Sequence, residues 1–393
     1  MSKLSLILAV AALLLLPAGI AFAQEGETQP SVGLISDYTD DGGMVHNNGA
    51  ITVTLNAVPL PDAGTAYEGW LVNDRGSVKQ SIGIIDVVAD GTEGTGSGSL
   101  TYMSPSEDLI ATYDKLVITS EPVPDDDPAP SDVIAFSASV PRAAMQYIRE
   151  LLSSASEGDS MGHLGMLRAQ AMIAANDAQS AAAAQNIAEI KMHAEAMVNE
   201  IEGMGGDNYG DHNGDGATAD NGDGVGLLAH SASRERALYA AVAARDVSTI
   251  LGNAAAVDGY GTYVDDALMA ARDAGMEVLA AEIPLLASTY AANAASLMDA
   301  ALNGFTSSDP ATGALTLEPG VVHMYEAAQA MATYTLQPGT DGLPSAAGPS
   351  VASLAVGDSA VPAVVSGALV AAIALLVSGG ILVTVRRRTQ NSA

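Results

Sequence analysis

Alternating apolar and polar residues dominate the chain between about residue 30 and residue 140. The segment ITVTLNAV, Ile51 to Val58, alternates with a period of two, as a strand with one buried face does. Similar short segments follow as AYEGWLVND, SIGIIDVVAD, GSLTYMS, YDKLVITSEP and DVIAFSASV. Stretches rich in Gly, Pro and Asp separate them and predict turns. Six or seven strands at this spacing predict an antiparallel sandwich over residues 31–141, with Trp70 in its core.

After residue 141 the apolar residues recur every three or four positions in an Ala-rich sequence, which predicts helices. Five or six helices are predicted between residues 142 and 337, as an antiparallel bundle, with Pro284 kinking or interrupting a long segment. Two apolar stripes carry this prediction: Ile187, Ile190, Ala194, Met197 and Ile201, then Val264, Leu268, Leu279, Ile283, Leu286, Tyr290 and Leu297. The predicted fold class is α+β multidomain: an antiparallel β-sandwich followed by an Ala-rich antiparallel helical bundle and one transmembrane helix.

The two ends of the chain have the features of export and membrane anchoring. Residues 1–23 contain a Lys, an apolar run and an Ala-Phe-Ala cleavage pattern, which predict a signal peptide. A Pro/Gly/Ser stalk over residues 338–360 leads to an uncharged apolar segment, 361–385, long enough to cross a bilayer. Three arginines open the tail, residues 386–393, and positive charge favours the cytoplasmic side.

This arrangement predicts a single-pass protein of the cell membrane, with its N-terminal ectodomain outside and a short C-terminal basic tail in the cytoplasm. A removable C-terminal sorting signal has the same parts, although LPSAAG, which begins at Leu343, is a poor sortase motif. Whether the C-terminal helix is retained therefore stays open at this point.

Charge and cysteine content narrow the classes of partner. The chain of 393 residues has no Cys and a formal net charge of −31. Without disulfides, an exported protein depends on packing or bound metal for its stability. Three lysines and eight arginines stand between Gln24 and Ala360, so the predicted ectodomain repels phosphate backbones. We expect no nucleic-acid partner; the expected partners are the membrane, through one C-terminal helix, and an unknown protein or surface.

Three stretches of the β region carry a family motif: ITVTLNAVPLPDAG, GTAYEGWLVNDRGSVKQSIGIIDVVADG and YDKLVITSEPVPDDDPAPSDVIAFSASVP. The motif residues are Tyr67, Trp70, Leu71 and Val72, then Thr119, Glu121 and Pro122. With these residues, the β region resembles the extracytoplasmic C-terminal domain of anti-sigma-K factors of the RskA type. The resemblance covers roughly a quarter of the chain and implies a β-sandwich used outside the membrane.

Sigma-factor binding is not implied for this chain. An anti-sigma factor needs a cytoplasmic helical domain, and a predicted signal peptide stands in that place here. The helical region resembles exported bacterial proteins of unassigned role, in which a helix with the pattern of His193, Glu195, Asn199, Ile201 and Gly203 precedes an acidic loop. This second resemblance implies that the helix and the loop form one unit.

The acidic loop, residues 205–226, is the strongest candidate for a metal site. Asp211, Asn213 and Asp215 occupy positions 1, 3 and 5 of a calcium loop, Gly216 position 6, and the carbonyl of Ala217 position 7. Position 12 is a glycine, so closure depends on Asp220 or Asp223. Calcium is the expected cofactor, and its predicted ligands are Asp211, Asn213, Asp215, Ala217, Asp220 and Asp223. The alternative is that the loop is a solvated acidic linker. A second stretch, 303–320, has too few acids and is interpreted as a turn.

Histidines and methionines suggest a different chemistry. His163, His193 and His323 each have Met residues nearby in the sequence, and such ligands bind haem iron or copper inside bundles. Core packing by Met is the simpler interpretation. A Gly-Asp-Ser-Met-Gly stretch at 158–162 lacks the preceding strand of a hydrolase elbow, and no catalytic residue is predicted.

The sequence therefore predicts a non-enzymatic, membrane-anchored extracytoplasmic protein with a calcium-stabilised helical bundle, in envelope structure, adhesion or sensing. Two alternatives remain: a haem- or copper-binding redox bundle, and a transmembrane signalling partner that is related to anti-sigma factors but lacks the sigma-binding domain.

Overall fold

The computed structural model describes residues 30–153, 161–231, 234–308 and 315–344. The predicted signal peptide, transmembrane helix and basic tail lie outside these ranges, as does the stalk beyond residue 344. Within the four described ranges, no helix has both the length and the apolar composition that a membrane crossing requires.

Residues 30–140 form the predicted β region. Its strands are β1 (Val32–Thr39), β2 (Val45–Pro59), β3 (Thr65–Val72), β4 (Lys79–Ile85), β5 (Val88–Ala89), β6 (Thr95–Met103), β7 (Lys115–Pro122) and β8 (Ile134–Ser139). They belong to two antiparallel sheets of five strands each; the antiparallel pairing is as predicted, but the region has eight strands rather than six or seven. Two short strands from the far end of the described chain, β11 (Tyr334–Thr335) and β12 (Gln337–Pro338), complete the strand orders β11-β1-β2-β6-β5 and β12-β8-β7-β3-β4.

Side-chain alternation along the strands builds the core between the sheets. Ile51, Val53 and Leu55 on β2 are fully buried, at the spacing of two that places them on one face. They share one hydrophobic cluster with Leu71 and Leu116 of the other sheet. The period of two in ITVTLNAV therefore marks the inner face of the first sheet.

Trp70 corrects one detail of the sequence prediction. It is buried, with 3% of its surface exposed, but it packs with Val72 and Val117 in a small cluster separate from the main core. Because Leu71 is part of the main core, the alternation of β3 turns Trp70 to the opposite face of the sheet. Leu343, from the end of the described chain, packs against this outer cluster.

The helical region contains more helices than predicted. Its described elements are α2 (Arg142–Leu152), α3 (His163–Ala183), α4 (Ile187–Glu202), α5 (Leu227–His230), α6 (Arg234–Ala243), α7 (Ser248–Ala280), α8 (Pro284–Asn303) and α9 (Val321–Ala330), after a single turn, α1 (Leu109–Thr112), within the β region. The excess comes from short segments such as α5, which the apolar periodicity of the sequence does not separate from loop.

Pro284 interrupts the long helical segment, as predicted. It is the first residue of α8, where its missing N–H and fixed φ cost nothing. The interruption changes the phase of the apolar stripe. Val264, Leu268 and Leu279 are buried, whereas Ile283 and Leu286, which the sequence placed on the same stripe, are 56% and 42% exposed. The stripe on α4 is buried as predicted, with Ile187 only partly so.

The stretch 303–320 forms a β-hairpin rather than a simple turn. Strands β9 (Phe305–Ser308) and β10 (Leu315–Glu318) pair in antiparallel register, with Leu317 opposite Thr306. This hairpin joins α8 to α9, and it is a separate two-stranded sheet.

Helices and sandwich share one continuous hydrophobic core. A partly buried group of polar side chains also connects the helices to the sandwich: the Arg168 guanidinium on α3 contacts the Asp37 carboxylate at 2.7 Å and stacks 3.9 Å from the Tyr325 ring centre. Gln329 on α9 donates to Asp37 and to the Asn48 side chain at 2.7 and 2.8 Å.

The chain returns from the bundle to the sandwich after α9. β11 pairs with β1 and β12 with β8. The last residues of the predicted bundle, up to 337, and Pro338, predicted as the first residue of the stalk, therefore add a strand to each sheet. The bundle is thus inserted between β8 and β11. The sequence contains no signal for this return, because two-residue strands have no periodicity.

Candidate cation-binding loop

The acidic loop joins α4 to α5, and its two ends, residues 203–204 and 224–226, approach each other closely; these residues are called the neck of the loop. Gly203 and Gly226 both have positive φ, 72° and 87°, and a Cβ on either one would collide with the backbone of the other side of the neck. The Met204 N–H donates to the Gly224 carbonyl oxygen at 2.8 Å, which closes the neck. Only glycine fits these two positions, and the loop ends are held together.

Two buried side chains of α4 hold the loop against the bundle. The Glu195 carboxylate accepts three backbone N–H groups of the loop: those of His212 (2.7 Å) and Asn213 (2.8 Å) on one oxygen, and that of Ala219 (2.9 Å) on the other. The Asn199 side chain both accepts from and donates to the backbone of Gly210. Helix and loop therefore form one unit, as the second resemblance implied.

The first three predicted ligands lie together at the tip of the loop. The Asp211 carboxylate accepts the N–H groups of Gly214 at 2.7 Å and Gly216 at 2.9 Å. Asn213 Oδ1 accepts from the N–H of Asp215, and Asp215 Oδ1 from that of Ala217, each at 2.8 Å. These short side-chain-to-backbone bonds shape a turn in which the oxygens of Asp211, Asn213 and Asp215 stay near solvent.

The two candidate closing residues have partners elsewhere. The Asp220 carboxylate accepts from the Tyr209 hydroxyl at 3.2 Å and from the Gly222 N–H at 2.9 Å. The Asp223 carboxylate accepts from the Val225 N–H at 2.9 Å and lies 3.1 Å from His230 Nε2. Across the described part of the chain, no three His, Asp or Glu side chains are gathered at metal-binding distance. Calcium binding by the loop stays a prediction.

Below the loop lies a group of acids that the sequence analysis did not identify. Glu200 on α4 is 4% exposed, and neither of its carboxylate oxygens has a hydrogen-bond partner among the described residues. Burial, and then the nearby charges of Asp177 on α3 and of Asp220, raise the pKa of Glu200 to about 9. Asp177 is on α3 and Glu200 on α4, so the spacing of these acids along the chain does not predict that they meet. The sequence gives one sign that Glu200 is buried, which is its position next to Ile201 in the apolar stripe of α4.

The three histidines considered as haem or copper ligands each contact a different group of residues. His193 Nδ1 lies 3.0 Å from Asp177 Oδ1, and His323 Nδ1 lies 3.3 Å from the Gly320 N–H nitrogen that caps α9. His163 lines an open cleft of about 510 Å³ together with His230, Arg236 and Tyr239. This arrangement offers no support for a shared haem or copper centre. The Gly-Asp-Ser-Met-Gly stretch falls mostly on residues 154–160, outside the described ranges.

Comparison with known proteins gives one match. The model of the family described as anti-sigma-K factor rskA, C-terminal, matches residues 6–134. Among the curated proteins and the solved structures compared, none matches. The match spans β1 to β7 and reaches the first residue of β8. The β region of this chain is therefore similar to the C-terminal region of anti-sigma-K factors, as its strand motifs indicated.

Proposed function

We propose that this protein is a non-enzymatic signalling protein, anchored in the membrane by its C-terminal segment, whose β-sandwich binds a protein partner outside the cell membrane. The observation that carries the proposal is the family match over residues 6–134, since that family is named for anti-sigma factors, which are regulators. The proposed partner is a protein outside the cell membrane rather than a cytoplasmic sigma factor, because residues 1–23 have the pattern of a signal peptide.

The connection of the sandwich to the predicted anchor supports a signalling role. The last described residues are hydrogen-bonded to the second sheet: the Ser137 and Ser139 hydroxyls each donate to backbone carbonyls, of Gly339 and Gly342, at 2.7 Å. These residues begin the predicted stalk, 338–360. A partner that reshapes the sheet therefore acts directly on the segment that leads to the predicted membrane helix.

One edge of the sandwich is the proposed partner surface. β11 and β12 cover one side of the two sheets, whereas β4 and β5 are the end strands on the other side. This open edge has two large apolar side chains, Ile84 and Val88, which are 45% and 70% exposed. Proteins usually protect edge strands with charge or with a cover, so an apolar open edge suits a protein that adds a strand or packs an apolar surface there.

Site-specific photo-crosslinking in native membranes tests this proposal. A photoreactive residue at Ile84 or Val88 of the full chain is expected to trap one defined protein. The matched control is Leu285 on the bundle, which is 76% exposed and apolar but distant in the sequence from the sandwich. Failure to trap a protein at both edge positions, or trapping the same protein equally from Leu285, would contradict the proposal.

A second proposal concerns the acidic loop: calcium binds Asp211, Asn213 and Asp215 and stiffens it. The chain of side-chain-to-backbone bonds in the loop tip supports this, because these residues already turn as a calcium loop requires. Calcium is expected to raise the melting temperature of the full chain, and an Asp211→Ala/Asp215→Ala variant to lose part of that shift. Envelope structure and adhesion have no observation in their favour.

A further inference from the structure

The carboxylate of Glu200 is buried between the acidic loop and the helices beneath it, without a partner. It is 4% exposed, and both of its oxygens are shielded from solvent and lack hydrogen-bond partners. Taking a carboxylate out of water is unfavourable unless opposite charge or hydrogen bonds replace the lost hydration. An unpaired acid at this depth therefore points to a cation or a proton that completes the site.

The surroundings of Glu200 are rich in oxygen. A Cβ at Gly222 would lie 2.7 Å from Gln170 Oε1 and 3.3 Å from both Asp220 Oδ1 and the Glu200 Cγ. Three oxygen-bearing side chains, from α3, α4 and the loop, thus converge on the backbone of Gly222. The fourth member, Asp177, contributes to the negative potential at Glu200.

Basic side chains near this end of α4 are engaged elsewhere. Arg272 pairs with Glu202 at 2.9 Å and with Asp273 at 2.7 Å. Lys191, further along α4, donates to the Leu279 carbonyl at 2.6 Å. His193 lies against Asp177, which also accepts from the Asn221 side chain at 2.8 Å. Asp177 therefore has partners, as Asp220 has in Tyr209 and Gly222, and Glu200 is the acid of this group whose oxygens lack one among the described residues.

We propose that Glu200 and Asp220, with Asp177 beside them, bind a divalent cation of the calcium type between the loop and helices α3 and α4. Carboxylate, amide and carbonyl oxygens are the ligands that calcium prefers, and its variable coordination suits an irregular site. Gln170 Oε1 supplies a neutral oxygen close to the same point. The site is distinct from the loop tip, because Asp220 and Glu200 approach the backbone of Gly222, whereas the Asp211 carboxylate accepts the Gly214 and Gly216 N–H groups.

Among the described residues, no three His, Asp or Glu side chains already lie at metal-binding distance. Binding of a cation would therefore draw the Glu200 and Asp220 side chains together around it.

Such a site would make docking of the loop depend on extracytoplasmic calcium. The cation would connect α3, α4 and the loop at the point where Gly222 approaches the helices. Extracellular calcium modules bind with dissociation constants of about 10⁻⁴–10⁻³ M, a range in which external calcium regulates occupancy. The inference does not depend on calcium binding at Asp211 and Asp215, or on the partner of the sandwich.

Terbium luminescence and thermal unfolding of the full chain in mild detergent test the proposal. Tb³⁺ replaces calcium, and the Tyr209 ring, whose hydroxyl donates to Asp220 at 3.2 Å, is positioned to sensitise its emission. After chelation with EDTA, the wild type is expected to show sensitised emission with Tb³⁺ and a calcium-dependent rise in melting temperature. Glu200→Gln is expected to lose the emission and the part of the rise that does not depend on Asp211 and Asp215, and Tyr209→Phe to lose most of the emission while keeping the rise.

Two controls separate this site from the loop tip and from general charge effects. Asp211→Asn/Asp215→Asn is expected to retain the Tyr209-sensitised emission. Glu189→Gln, at an exposed acid on the same helix, is expected to behave as the wild type. Sensitised emission that persists in Glu200→Gln, with a calcium-dependent rise as large as in the wild type, would overturn the proposal. A wild type that ignores calcium, with Glu200→Gln more stable than the wild type in EDTA, would also overturn it and would assign a proton to the site.

Discussion

Replacement of Glu195 by Gln is expected to release the acidic loop from the bundle. Glu195 is fully buried, and its two oxygens accept three backbone N–H groups between residues 212 and 219. Gln keeps the shape but has one oxygen, so two bonds survive without the charge and the third N–H faces an NH₂ group. The change isolates the acceptor chemistry from the packing.

The magnitude follows from those bonds. Each surviving bond falls from charge-assisted to neutral strength, a loss of about 1 kcal/mol. The N–H left without an acceptor costs about 1–3 kcal/mol. Together these destabilise the docked loop by about 3–5 kcal/mol. At about 1.4 kcal/mol per factor of ten, loop opening becomes more frequent by at least about 100-fold.

Native-state hydrogen exchange measures this opening directly. The amides of His212, Asn213 and Ala219 are expected to lose protection in Glu195→Gln, while those of α7 keep theirs, because the opening is local. The control Glu189→Gln changes an exposed acid on the same helix, where surface substitutions stay within about 0.5 kcal/mol. Unchanged protection at the three loop amides would refute the assignment of Glu195 as the loop's main anchor.

Three further predictions concern the rest of the molecule. Arg168→Ala removes the ion pair with Asp37 and the stacking on Tyr325, and it is expected to lower the unfolding free energy by about 3–5 kcal/mol in urea denaturation. The control, Arg236→Ala, breaks the more exposed pair with Glu150 and is expected to cost less than about 1 kcal/mol. Burial raises the pKa of Asp114 above its ordinary 3.8. The contribution of Asp114 to stability is therefore fully present below pH 3.8 and is lost as the pH rises through the raised pKa. Asp114→Asn is expected to be more stable than the wild type at about pH 7 but not at about pH 3, and an equal stability difference at both pH values would contradict this. The fluorescence of Trp70, the single Trp, and the helical circular dichroism are expected to change at the same urea concentration, because sheets and helices share one core; two separated midpoints would show that they unfold independently.

Local sequence patterns were sufficient wherever one element's own buried face decides its structure. The period of two at Ile51, Val53 and Leu55 marked a strand face, and the stripe from Ile190 to Ile201 marked a helix face, because burial selects those spacings. The pattern was less informative at Trp70. Alternation shows that neighbours occupy opposite faces, but both faces of this strand are covered, so hydrophobicity alone does not separate inner from outer.

In the candidate loop, too, the sequence predicted the local turn but not the contacts with distant parts of the chain. Its asparagines, aspartates and glycines predicted a tight turn at Asp211–Gly216, because these residues bond to their own backbone within a few positions. The anchor at Glu195 and the buried acid at Glu200 were not predicted as such. Their roles depend on which segments of the folded chain meet them.

By itself, the sequence determined the order of a strand-rich region and a helical region, the interruption at Pro284 and the shape of the loop tip, since each depends on contacts within a few residues. Only the tertiary structure decided that residues 334–338 return to complete both sheets, that Asp220 and Glu200 meet at the backbone of Gly222, and that α3 and α9 hold Asp37. These contacts join residues far apart in the chain, and their free energy depends on burial and on neighbouring charges, which no local spacing of residues specifies.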